Sequence, residues 1–104
     1  MKHVNYLEVE GCRVEEAGAH GVVLRTVIGD SDNAPNFHMR VISFEAGGAT
    51  PRHSHPWEHE VFILKGAGSV DVAGKTEMLN PGDVVFVPPD SEHCFKSSQG
   101  MEML

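Results

Sequence analysis

The sequence predicts an all-β fold, a small sandwich or barrel. Three observations carry this. Eleven glycines and six prolines punctuate short apolar runs. No helical periodicity is sustained over two turns. The runs between the turn residues are rich in β-branched and aromatic side chains, as strands require.

Taken in order, Val4 to Val9 reads as a first short strand, and Cys12 to His20 as a polar, glycine-bearing segment with room for a turn of helix. Val22 to Ile28 is a strand by its β-branched content. Gly29 to Pro35 is a loop by its turn residues. Its acidic residues lack the spacing and closing glutamate of a calcium loop, so it reads as a solvated turn. Phe37 to Phe44 is the next strand, and Gly47-Gly48 is read as breaking the chain. Glu60 to Leu64 is a strand, followed by a Gly66-Ala67-Gly68 turn. Ser69 to Val72 and Lys75 to Leu79 form a hairpin around Ala73-Gly74. Asn80 to Asp83 is a turn, Val84 to Val87 a strand closed by Pro88-Pro89, and Glu92 to Lys96 another strand. Met101 to Leu104 is expected as a last strand.

At 104 residues the chain is expected to be one domain, spanning 1–104. Its net charge of -7, with no basic run, argues against nucleic acid and anionic membranes as partners. The two cysteines, Cys12 and Cys94, form no Cys-x-x-Cys pair, so free thiols in a reducing compartment are the default. The N-terminal residues lack the apolar core of a signal peptide, and no apolar run reaches membrane-spanning length. A cytoplasmic location is expected.

The chemistry concentrates in Pro51 to Glu60, which holds three histidines and two glutamates in ten residues. In an extended chain His53 and His55 share a face and can share one ion. Pro56 suits a bend, after which the next strand can present a third ligand. His59 and Glu60 both lie within reach, but alternation prevents both from facing inward. If His59 points in, so do Val61 and Ile63, while Glu60, Phe62 and Leu64 point out. If Glu60 points in, the sets reverse. His93 follows the stiff Pro88-Pro89-Asp90 turn and is the candidate fourth ligand. His3, His20 and His38 are read as ordinary surface residues.

These residues resemble the cupin family. Gly47, His53-Ser54-His55, then His59 or Glu60 and a following glycine, is similar to the first cupin motif. Gly82, Pro88, Asp90, His93 and Ser97 are similar to the second, with Asp90 and Ser97 standing where glycine and asparagine are usual. The resemblance implies a cupin-type double-stranded β-helix, or jelly roll, of the cupin 2 conserved-barrel kind. Its pattern places a glycine after six residues that follow the third ligand, and counting back from Gly66 gives His59. The stretch His53 to Gly66, with Ala34-Pro35-Asn36-Phe37 and Met39-Arg40 upstream, resembles small cupins that bind manganese with four histidines. The implied metal ligands are His53, His55, His59 and His93, with Glu60 as the replacement for His59 in the other register. The related cupins that open unsaturated uronates carry glutamine where His59 stands. Family members usually continue beyond the point reached by Leu104.

Four neutral imidazoles would leave a divalent ion its full charge, favouring anionic or enolisable oxygen ligands. Imidazole suits manganese, iron, nickel, copper and zinc alike, so manganese comes first by resemblance only. No catalytic residue declares itself. Arg40 is placed where it can meet a carboxylate or simply offset the acidic surface. Phe95 shares the face of His93 and is read as a wall or core residue, Trp57 as packing under the loop, and Cys94 as facing away from His93. The leading expectation is a metal-dependent enzyme of oxygenase (dioxygenase-like) or isomerase (sugar-isomerase-like) type, acting on a small organic molecule. A non-catalytic module that binds or senses a small molecule is the alternative, and a purely structural metal is a third reading. A homodimer is expected, because Phe62 and Leu64 would leave an apolar strip outside.

Overall fold

The structure, a computed structural model, describes all of residues 1–104. Its strands are β1 (Cys12–Arg13), β2 (His20–Ile28), β3 (Met39–Ala49), β4 (His59–Gly66), β5 (Gly68–Val72), β6 (Lys75–Leu79), β7 (Val84–Val87), β8 (His93–Ser97) and β9 (Met101–Met103). All pair antiparallel in one curled sheet, in the order β6-β5-β8-β3-β9-β4-β7, with β2 on β3 and β1 on β2. The all-β jelly-roll expectation therefore holds.

The hub is β3. It pairs with β2 along most of its length, with β9 through Ile42 to Phe44, and with β8 through Gly48 and Ala49. Alternation decides what goes inside. In β4, Val61 and Ile63 are buried and His59 is half-buried, whereas Glu60, Phe62 and Leu64 are exposed. Val22, Phe44, Ile63, Val70, Val87 and Phe95 meet in one core cluster. Ile63 has no exposed surface; withdrawing such a side chain from water stabilises a fold by roughly 1.5–3 kcal/mol.

Four expectations are corrected. Val4 to Val9 is not a strand: Tyr6–Glu8 forms a single 3-10 turn. The Asn5 side chain accepts the Leu7 N–H at 2.9 Å, and this local bond wins over extended pairing. The helical turn allowed for Cys12 to His20 is absent, since β1 opens this segment and His20 already belongs to β2. The next strand begins at Met39 rather than Phe37, which is exposed. Gly47-Gly48 does not break the chain. Gly48 stays in β3 because carbonyls crowd its missing side chain: a Cβ there would lie 2.8 Å from Gly21 O and 2.9 Å from Glu45 O.

The two motif positions that depart from the family's usual residues are accommodated. Asp90 has φ 66°, the left-handed conformation that asparagine and aspartate tolerate best after glycine. Ser97 Oγ donates to Ala67 O at 2.6 Å and accepts from Gly100 N at 2.8 Å, joining two turns.

On the outside, Glu102 clasps three segments. Tyr6 Oη donates to one carboxylate oxygen at 2.7 Å and Ser43 Oγ to the other at 3.0 Å, while Lys65 Nζ lies 3.6 Å away. Burial pushes this carboxyl upward, but the hydrogen bonds from Tyr6 and Ser43 and the Lys65 charge outweigh it and hold it below its ordinary value.

Candidate metal centre

Four imidazoles come together inside the barrel. His53 and His93 are joined first through the backbone: His53 N–H donates to His93 O at 3.2 Å, and His93 N–H to His53 O at 2.9 Å. A further bond, Asp90 N–H to His55 O at 2.8 Å, ties the two histidine-bearing loops together. The ligand nitrogens of His53, His55 and His93 lie within 4.8 Å of one another. His59 completes the group from β4, with its Nε2 2.9 Å from His55 Nε2 and its ring centroid 5.3 Å from that of His93.

The outer nitrogens set the tautomers. His55 Nδ1 lies 2.8 Å from Trp57 O and His93 Nδ1 lies 2.9 Å from Ser91 O. A carbonyl only accepts, so both Nδ1 atoms carry the proton and both Nε2 atoms present a lone pair to the cluster. Burial, reinforced by the neighbouring imidazoles, lowers the basicity of His53. Burial lowers His59 to about 4, aided by His55 and Arg40. These rings are therefore neutral at pH 7, the state in which imidazole binds metal. The donor set fits a divalent transition ion: four imidazoles converge, His55 and His93 are held from behind by carbonyls, and no carboxylate stands among them.

His53, His59 and His93 line a cavity of ≈ 1090 Å³ that continues past Glu60, Phe62 and Val84 on the outer side of β4 and β7. Phe95 lines it and belongs to the core. Arg40 borders it as well. Cys94 turns away, its thiol donating to Thr50 O at 3.3 Å. Glu60 is exposed on the face opposite His59. His38 is exposed and pairs with Asp30 at 3.1 Å. His3 and His20 are exposed at the surface. Trp57 does not pack under the loop. It is 58% exposed and stacks on His55, with centroids 4.2 Å apart and planes at 8°. Val14 and Glu16 also reach this cavity, which no pattern in the chain signals, because they arrive from an irregular N-terminal loop without strand alternation. A separate depression of ≈ 300 Å³ near Ser43, Lys65 and Glu102 involves none of the four rings.

The family model described as "Cupin domain" matches residues 40–104, and the chain belongs to the cupin family. The polyketide cyclase RemF from Streptomyces resistomycificus is 32% identical, with a TM-score of 0.92 over 99% of this chain and 75% of that one. A predicted oxalate decarboxylase from Thermotoga maritima shares the fold, with a TM-score of 0.86 at 21% identity over 98% of this chain and 94% of that one. In sequence, (R)-mandelonitrile lyase from Granulicella tundricola is 34% identical over 53 residues, 50% of this chain and 40% of that protein. The chain spans 19% to 40% of the length of the curated relatives it matches.

Proposed function

We propose that His53, His55, His59 and His93 hold one divalent metal ion, with manganese favoured, and that the protein is a metal-dependent enzyme acting on a small, enolisable organic molecule. The convergence of four imidazoles, three of them on the wall of one cavity, carries this reading. A divalent ion held there supplies Lewis acidity undiminished by any carboxylate ligand. The chain's own residues do the rest. Trp57 and the Ser91 carbonyl fix ring orientation, while Phe95, Ile42 and Leu24 give the cavity apolar walls.

The name of RemF as a polyketide cyclase supports chemistry of the isomerase or cyclase type, in which protons and carbon–carbon bonds are rearranged, over net oxidation. The oxygenase type is separated by oxygen uptake. Elemental analysis of protein purified without a metal-affinity step tests the metal. Incubation with β-diketone, phenolic and uronate compounds, with product and oxygen both followed, tests the reaction. Product without oxygen uptake is expected.

A second reading is a module that binds or senses a small molecule without turning it over. It draws on the carboxylates at the cavity, since Glu16, Glu58 and Glu60 are all exposed rather than poised against the rings. Saturable binding with no product would select it. The strip of Phe62, Leu64, Val84 and Phe86, all exposed on neighbouring strands, supports a homodimer. The free thiols of Cys12 and Cys94 support a reducing, cytoplasmic location.

A further inference from the structure

We propose that Arg40 is the anion-recognising residue of the cavity, and that the molecule bound there is a small, largely apolar monocarboxylate. This deepens the functional reading above and rests on it for what happens at the histidine end.

The strand places Arg40 at the cavity mouth. Along β3, Phe44 and Ile42 point to the core, and alternation puts Arg40 on the same face. The row grades from buried Phe44 through half-buried Ile42 to exposed Arg40, so it runs from the core to the cavity mouth. Arg40 borders the same cavity as His53, His59 and His93.

Arg40 is also unengaged. Arg13 pairs with Glu45, Arg52 with Asp71 and Glu92, and Arg25 donates to Val9 O. The Arg40 side chain has neither a hydrogen bond nor an ion pair, although the chain carries fifteen aspartates and glutamates and a net charge of -7. A guanidinium placed only to balance surface charge would be expected on one of them. Arg40 instead borders the cavity with its side-chain donors free, and a planar guanidinium can take a carboxylate in two parallel hydrogen bonds.

Charge decides between anions. None of the four lysines borders the cavity, so Arg40 is its only permanent cation. His38 is already paired with Asp30. Glu16, Glu58 and Glu60 add negative charge around the opening. One cation among three carboxylates suits a single negative charge and disfavours a phosphate dianion. Inside the barrel the cavity is walled by Val22, Leu24, Ile42, Val61 and Phe95, which fits an apolar body on that carboxylate.

Calorimetric titration with 2-naphthoate and with its neutral isostere 2-naphthamide tests this, on metal-loaded and on chelator-treated full-length protein. Wild type should prefer the carboxylate by roughly tenfold or more in both forms. Arg40→Gln should abolish that preference while metal content stays unchanged, and Arg40→Lys should keep part of it. A preference that survives in Arg40→Gln, or vanishes from wild type with the metal, would assign the carboxylate to the histidine end and overturn the proposal. So would the absence of any preference in wild type. Metal content is read separately, so a wild type without metal defeats the functional reading while the role of Arg40 is still scored on the chelator-treated arm.

Discussion

His55 and Trp57 lie face to face, 4.2 Å apart between centroids and 8° from parallel, and the Trp57 carbonyl accepts a hydrogen bond from His55 Nδ1–H at 2.8 Å. Two residues of one loop thus fix both the tilt and the tautomer of an imidazole. Trp57→Ala removes the stacking surface and leaves the carbonyl. Metal affinity, measured by competition with a chelator, should fall roughly tenfold, the lower end of the usual effect of outer-shell partners. Trp57→Phe should recover most of it. Equal affinity in all three proteins would show that the stack does not orient the ring.

Ligand assignment can be tested by pairs of variants. His53→Ala and His59→Ala should each release most of the bound metal on elemental analysis. Glu60→Gln should retain it, because Glu60 is exposed on the opposite face of β4. Full metal content in His53→Ala would remove the proposed site, and loss in Glu60→Gln with retention in His59→Ala would exchange the third ligand.

Acid should destabilise the metal-free protein. Burial holds His59 at about 4 instead of the ordinary 6.5, and lowers His53 as well. Between those values the unfolded chain takes up protons that the folded chain refuses. Stability is therefore full above the ordinary value and is lost progressively as pH falls towards 4. Thermal melts of chelator-treated protein should show a lower Tm at about pH 5 than at about pH 7.5. His59→Gln should shrink the difference. A wild-type Tm that does not change with pH would contradict burial of neutral histidines as the source of acid sensitivity.

Gly66 ends β4 with φ 80°, and a Cβ there would overlap the Gly100 carbonyl oxygen and come within 2.8 Å of Met101 Cα. Gly66→Ala must displace backbone as well as adopt left-handed geometry. The latter alone costs about 1–2 kcal/mol. Denaturant unfolding should show a loss beyond that figure; a loss of less than about 1 kcal/mol would mean that the turn yields easily.

The apolar strip of Phe62, Leu64, Val84 and Phe86 should be covered by a second copy. Sedimentation should give a dimer for wild type and a monomer for Val84→Lys. A monomeric wild type would leave the strip uncovered.

How much of this was legible in the sequence differs from place to place, for physical reasons. The β5–β6 hairpin was readable because Ala73-Gly74 carries its turn chemistry locally, with both residues at positive φ. The face of β8 was readable because His93 and Phe95 alternate around a cysteine that faces elsewhere. The grouping of His53, His55, His59 and His93 followed from motif spacing. Failures came where one interaction overrode the local pattern. Asn5 capped a turn in a run that looked extended. Gly48 signalled a break, but its lack of a side chain serves close approach by carbonyls within a strand. Trp57 looked like a packing residue because nothing in the sequence tells which way a residue beside Pro56 turns. The reach of Val14 and Glu16 to the cavity depends on tertiary placement of a loop, which alternation does not encode.

The reciprocal backbone bonds between His53 and His93 also have a kinetic side. They join segments remote in sequence, so they form only after a long loop has closed. A ligand gripping both rings finds no such pair of rings in the open chain, and it adds its hold after that closure. Where that closure follows the folding transition state, its effect falls on the rate of unfolding and the rate of folding is left alone. Occupancy of the site would then set how long each molecule lasts against proteolysis, at an unchanged rate of maturation.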